Sequence, residues 1–274
     1  MRVCELQQVK RSRGSGVGMN VRYEKSGAIA TLTLDRPDRL NAMADVMWDA
    51  LYEHINTIAA DDTIRSVVLK GEGRAFCSGG DVSNMARSDI VSGRARSQKR
   101  HRTIIALYNL EKPVIAATRG AVYGIGNALA LACDLIVASD TTRFSMAFKK
   151  VGVVPDGGAI FFMVQRLGMS QAKELVYTAR VFGADEAKSL GLVSRVVPDA
   201  ELETAAHALA TEFAESASYA LALAKKMFQA MAVPTLEQLC EMETLASGIV
   251  RLTHDHQEGV AAFKEKRPPK FSGQ

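Results

Sequence analysis

From Val21 the chain alternates between apolar and polar positions, and Ala28-Ile-Ala-Thr-Leu-Thr-Leu34 is β-branched and apolar, which predicts a strand. Asp35-Arg-Pro-Asp38 ends it with turn-forming residues. Over 44–59, Val46, Met47, Ala50, Leu51, His54 and Ile58 recur at helical spacing and predict a helix. Short apolar runs at Ser66–Lys70, Val114–Thr118 and Leu135–Ala138 read as buried strands, and Arg143–Met146 as a short one. Helical patterns fill 94–110 and 128–133, and then most of the last third: 170–179, 184–189, 201–230, 236–251 and 258–266. Repeated strand-turn-helix units predict a layered α/β fold with a helical C-terminal appendage.

Composition narrows the picture. A chain of 274 residues, 47% hydrophobic and 23% charged, is that of an ordinary soluble globular protein with a sizeable core. No apolar run approaches the roughly 20 residues that span a bilayer, so no membrane role is expected. Cys4, Cys77, Cys133 and Cys240 are scattered without a C-x-x-C pair. That pattern predicts reduced thiols in a cytoplasmic setting and argues against a disulfide framework or a zinc ribbon. Residues 1–18 form a basic, glycine-bearing lead-in, with Met19 expected to open the folded part. A net charge of +4 is compatible with an anionic substrate and requires no nucleic acid.

The most informative stretches are two turns rich in small residues. Ala75-Phe-Cys-Ser-Gly-Gly-Asp81 follows one buried strand, and Gly120-Ala-Val-Tyr-Gly-Ile-Gly126 follows another. Such turns leave main-chain N–H groups unpaired by secondary structure and admit a ligand closely. Two N–H groups aimed at one point make an oxyanion hole. With these turns, Asp35-Arg-Pro-Asp-Arg-Leu-Asn-Ala42, Ala184-Asp-Glu-Ala-Lys-Ser-Leu-Gly-Leu-Val193 and Glu258-Gly-Val-Ala-Ala-Phe-Lys-Glu-Lys-Arg267 stand in an order that resembles the enoyl-CoA hydratase/isomerase (crotonase) superfamily. The resemblance covers about residues 21–274.

It implies a crotonase-type α/β spiral of ββα repeats over 19–200 and a helical oligomerisation region over 201–274, assembling as a homo-trimer or hexamer. It implies acyl-CoA thioester substrates, with CoA as part of the substrate and no metal or other cofactor. Carried onto this chain, the oxyanion donors are the N–H groups of Gly80 and Ile125, where the second position often holds glycine in the family. Arg39, Ala75, Ser78, Gly79, Asp81, Val82, Tyr123, Gly124 and Phe148 are the implied substrate-binding positions. Ala128 and Phe148 stand where family hydratases carry two glutamates, and neither can move a proton. A carboxylate follows at Asp156, in Gly152-Val-Val-Pro-Asp-Gly-Gly158. Aspartate there resembles the double-bond isomerases, and the segments 148–156 and 263–271 resemble the ring-epoxide phenylacetyl-CoA isomerase branch. The expected activity is therefore a double-bond shift with Asp156 as the one proton shuttle, in apolar surroundings supplied by Val153, Val154 and Phe148.

Other readings stand beside this one. Pro-Asp-Gly-Gly is also a common turn whose Asp caps a following helix, here from Ala159. Asp81 reads equally as a substrate contact or a helix cap. Gly124-Ile-Gly126 mimics part of a dinucleotide fingerprint, but Leu129 replaces the third glycine. Cys77 reads as a buried filler, and His254 and His256 as an exposed helix end. The basic run 94–102 reads first as a solvated helix face, then as a CoA-phosphate contact, and last as an RNA-binding surface, for which it lacks interleaved aromatics. A hydratase with an unusual acid/base set, a hydrolytic or dehalogenating enzyme with Asp156 as nucleophile, and a non-catalytic acyl-CoA-binding member remain the alternatives.

Overall fold

The computed structural model describes residues 20–84, 90–231 and 235–270. The lead-in 1–18 lies outside the described residues. A six-stranded sheet runs in the order β1 (Val21–Ser26), β2 (Ile29–Leu34), β3 (Ser66–Gly71), β4 (Val114–Thr118), β6 (Leu135–Ser139) and β9 (Arg195–Val197). Only β1 and β2 pair antiparallel, while the other neighbours pair parallel, with Leu32 opposite Leu69 and Ala116 opposite Ile136. Strands buried on both faces carry continuous apolar runs rather than alternation, which is why Ser66–Lys70 and Val114–Thr118 looked uniform in sequence.

Two helices cover the two faces. α1 (Asp45–Ala60) packs Met47, Trp48, Leu51, Ile55 and Ile58 with Leu32, Leu34 and Leu69. α6 (Leu202–Glu215) packs Leu202, Ala206, Leu209 and Ala210 against Ile29, Val68, Ile115 and Val137. Each such aliphatic side chain, fully buried, contributes about 1.5–3 kcal/mol. The helical segment after residue 200 is thus rooted in the sheet.

A second sheet of three short strands, β5 (Ala121–Tyr123), β7 (Arg143–Ser145) and β8 (Phe182–Gly183), stands beside the first. Gly120, at φ +52°, makes the corner from β4 into β5, and a Cβ there would lie 2.1 Å from the Arg74 carbonyl oxygen. The remaining helices are α2 (Ile90–Asn109), α3 (Ile125–Leu131), α4 (Ala159–Thr178), α5 (Ala184–Ser189), α7 (Ser218–Ala230), α8 (Leu236–Val250) and α9 (His254–Lys264). No helix among the described residues is long and apolar enough to cross a membrane.

Three expectations change. The helix predicted over 201–230 breaks at Ser216 and Ala217 into α6 and α7. α4 starts at Ala159, earlier than the 170–179 pattern suggested, because Gly168 at φ 73° kinks the helix and interrupts its periodicity. His256 is buried rather than exposed, and its Nδ1 lies 2.9 Å from the Val151 carbonyl oxygen. With Gly152 and Gly259, which leave no room for side chains, it seats α9 against the 3-10 turn Ala147–Val151.

Beyond α9 the chain folds back, since Glu258 accepts from the Arg267 guanidinium and from the Lys270 N–H. The Arg267 hydrogen bond first, and then that from Lys270, bring the Glu258 carboxyl down from 4.5 to about 2. A carboxylate lowered in the folded state stabilises this contact fully above 4.5 and loses it as pH falls toward about 2. NMR should therefore show residues 265–270 gaining mobility over that window. Glu258→Gln should reproduce the release at neutral pH, and an unchanged tail in that variant would contradict the assignment.

Candidate active site

The first glycine turn is shaped from beneath by the end of β3. A Cβ on Gly71 would lie 2.3 Å from the Ala75 carbonyl oxygen, so only glycine lets the chain fold back over itself. Asn41, fully buried, donates through Nδ2 to the Glu72 and Ala75 carbonyls and accepts the Arg36 N–H, which ties the early loop to the turn. The Ser78 N–H donates to the Leu40 carbonyl and the Ser78 hydroxyl to the Arg39 carbonyl. The Met43 N–H donates to Gly79 and the Asp81 N–H to Met43, leaving the Gly80 N–H between them.

The second turn lies directly alongside. The Cys77 N–H donates to Ala121 and the Tyr123 N–H returns to Cys77, both at 3.0 Å. A Cβ on Gly126 would meet the Cys77 carbonyl oxygen at 2.6 Å, so the two turns touch only because that residue is glycine. Gly124 takes φ +52° and opens α3 with no side-chain cap, which puts the Ile125 N–H at the helix N-terminus. Among the described residues, neither the Gly80 nor the Ile125 N–H donates to a protein acceptor. Cys77 between them is fully buried, and burial pushes its thiol up to about 12, in line with a packing role.

The segment that carries Asp156 packs on the second turn through Gly157. A Cβ on Gly157 would run into Ile125 Cδ1, Ile104 Cδ1 and the Ala128 methyl, so the Asp156-Gly157 backbone rests on the residue of the second turn and on the site of the missing glutamate. Phe148, largely buried, closes toward Gly124. The N-cap of α4 is Gly158, and no side chain caps it. Asp156 therefore does not cap that helix, and its carboxylate instead faces Arg100 Nη2 at 3.1 Å. A buried guanidinium thus stands beside Asp156, a partner that the apolar surroundings expected from Val153, Val154 and Phe148 did not include.

The implied substrate-binding positions divide. Arg39 is exposed and only 3.7 Å from the equally exposed Asp38, so its guanidinium is available at the rim. Ala75, Ser78, Gly79, Val82, Tyr123 and Gly124 line the two turns through their backbones. Asp81 accepts from the Ser83 N–H and hydroxyl and pairs with Arg36 at 2.5 Å, as a cap does. Burial alone would raise its pKa, but the Ser83 and Arg36 hydrogen bonds outweigh that and hold it below the ordinary value.

Three polar residues around Asp156 escaped the sequence reading. Arg100 and His101 lie in the basic run that was expected to be a solvated face. Only part of that run is exposed: Arg94 pairs with Glu241, and Lys99 and Arg102 with Asp49, whereas Arg100 and His101 point inward. The Gly157 N–H donates to His101 Nε2, and the Gly158 N–H donates to Glu243 of α8 at 2.9 Å. Glu243 is buried, and burial raises its carboxyl pKa despite the neighbouring His101 ring and the hydrogen bond from the Gly158 N–H. His101, Cys240 and Glu243 place their donor atoms within 4.8 Å of one another. The His101 and Glu243 atoms are engaged with Gly157, Gly158 and Thr244, and no metal is assigned to them. The signal available in sequence was the stripe Cys240, Thr244, Ser247 and Arg251 at helical spacing.

A parallel-sheet spiral with helices on both faces and two touching glycine turns beside a carboxylate defines the crotonase class of enzyme. Residues 24–274 match the enoyl-CoA hydratase/isomerase family, and the chain belongs to it. A probable enoyl-CoA hydratase of Rhodobacter capsulatus is 36% identical over 92% of this chain and 98% of that protein. A 1,2-epoxyphenylacetyl-CoA isomerase of Escherichia coli is 34% identical over 89% of this chain and 95% of its own length. Among solved structures, an enoyl-CoA hydratase from Mycobacterium avium subsp. paratuberculosis superposes with a TM-score of 0.85 at 27% identity, over 92% of this chain and 98% of that one.

Proposed function

We propose that the protein shifts a carbon–carbon double bond in an acyl-CoA thioester, with the Gly80 and Ile125 N–H groups as oxyanion hole and Asp156 as proton shuttle. The observation that supports this reading is the packing of Gly157, the residue after Asp156, on the side chains of Ile125 and Ala128, the second proposed donor and a position that lacks the glutamate. The chemistry balances with one base. Asp156 takes a proton from carbon two of a 3-enoyl thioester, the electron pair moves onto the thioester oxygen as a dienolate, and the same proton returns at carbon four to give the 2-enoyl ester. Each N–H held on that oxygen lowers the barrier by about 3 kcal/mol. Arg100 holds the carboxylate in place.

Water addition is the second reading, and Glu243 is the observation that favours it. It is a further buried carboxyl group, bonded to Gly158 two residues from Asp156. Hydratase names among the relatives, such as that of the Rhodobacter capsulatus protein, point the same way. Incubation with paired 2-enoyl- and 3-enoyl-CoA esters separates the two. Interconversion at constant mass is expected, and conversion with gain of one water would replace the isomerase reading by the hydratase one.

The same reading takes Arg39 and the Ser78 region as the CoA end of the site. It expects self-assembly through the C-terminal helices, whose Leu223, Met227, Phe228, Leu245 and Ile249 are exposed.

A further inference from the structure

α8 is inverted in its second half relative to an ordinary surface helix. Its first turns bury Leu236 and Cys240 in the core, but its second half buries Glu243, Thr244 and Ser247 and leaves Met242, Leu245 and Ile249 exposed. The buried seam that results is polar, and its charges do not balance. Arg96 and Arg100 stand one turn apart on α2, and Arg251 follows the last turn of α8, its Nε bonded to the Ser247 hydroxyl. Arg100 is matched by Asp156 at 3.1 Å. Among the described residues, neither Arg96 nor Arg251 has a carboxylate within ion-pair distance. Arg96 Nη2 and Arg100 Nε are buried without any hydrogen-bond partner. Glu243 meets His101 and the Gly158 N–H through Oε2, while its Oε1 is buried without a partner among the described residues and lies outside ion-pair distance of Arg96 and Arg251.

Arg251 senses this imbalance. Burial first and then the Arg100 charge push its pKa down; Asp156 pulls the other way, Arg96 adds a smaller push, and Asp45 at the start of α1 a smaller pull still. Buried guanidinium donors without an acceptor are costly, and an incoming carboxylate satisfies several at once through charge-assisted hydrogen bonds. A plain alkyl chain leaves them unmatched.

We propose that Arg96 and Arg251, with the free Nε of Arg100, form an anion subsite beside Asp156 that receives a carboxylate at the far end of the acyl group. The substrate class is then the CoA monothioester of a dicarboxylic acid. This rests on the reading that places the acyl group at Asp156. The CoA phosphates are assigned to the exposed end near Arg39 and Ser78, so the inner guanidiniums answer to the acyl terminus.

The test is equilibrium binding and needs no turnover. Succinyl-, glutaryl- and adipyl-CoA are titrated by calorimetry against butyryl-, pentanoyl- and hexanoyl-CoA, with free CoA and free glutarate in parallel. At one chain length at least, the dicarboxylic ester should bind about tenfold to a hundredfold tighter than its neutral partner. That ratio should collapse in Arg96→Gln and in Arg251→Gln. Equal or weaker binding of every dicarboxylic ester by the wild-type protein would overturn the proposal, whatever becomes of the variants. So would a loss of free-CoA affinity in the two variants matching the loss for the esters, since the guanidiniums would then serve the phosphates. Failure of the isomerase reading would instead show as absent double-bond migration with the carboxylate preference intact.

Discussion

Asp156→Asn should lower kcat by about a thousandfold while a saturated acyl-CoA still binds within severalfold of the wild-type affinity. A positioned general acid/base contributes about 10²–10⁴-fold, and Ala128 and Phe148 offer no replacement at the positions where glutamates would stand. The amide has the shape of the carboxylate and keeps a contact to Arg100, but it accepts no proton. The proposed oxyanion donors are untouched, because they are main-chain groups on the two turns. Binding and catalysis should therefore separate, with the loss in kcat rather than in affinity. Near-wild-type turnover would remove Asp156 from the mechanism and direct attention to Glu243.

Gly126→Ala should damage both stability and rate, although it adds one methyl group far from any charge. The new Cβ would stand 2.6 Å from the Cys77 carbonyl oxygen, 2.7 Å from its Cβ and 2.8 Å from its sulfur. Cys77 is fully buried and paired by its backbone to Ala121 and Tyr123, so it cannot step aside without moving the first turn. Overpacking of this kind costs about 1–3 kcal/mol. For a chain of this size that is on the order of 2–6 °C in melting temperature. The shift also pulls the Gly80 and Ile125 donors out of register, and losing one such donor costs about a hundredfold or more in kcat. A variant that melts and turns over like the wild type would show that the turns are not held by this contact.

What the sequence disclosed follows from what each residue must satisfy. The two turns were legible because close backbone approach demands glycine, and Gly71, Gly120 and Gly126 each stand where a Cβ would strike a carbonyl oxygen. The central strands and α1 were legible because their apolar positions match one buried face or two. Asp156 was legible only through family resemblance, since Pro-Asp-Gly-Gly alone reads as a helix cap. The structure shows that this cap is not made.

Arg100, His101 and Glu243 were hidden for a different reason. Arg94, Lys99 and Arg102 share their run and point to solvent partners, so the composition of the stretch masked the two residues that turn inward. The second half of α8 shows apolar side chains outward and buries polar ones, the reverse of the pattern from which a core face is inferred. His256 was misread because a polar residue near a helix start looks exposed. Its burial depends on Gly152 and Gly259, distant in sequence or on the far side of the turn.

The most direct test of the single-base account is proton exchange in heavy water. Wild-type protein and Asp156→Asn are incubated with a 3-enoyl-CoA ester, and the products are followed by mass and by deuterium position. The account predicts double-bond migration with deuterium at carbon two or four in the wild type, and neither in the variant. Equal deuterium incorporation by the two proteins would contradict it, because the proton would then be moving through a group other than Asp156.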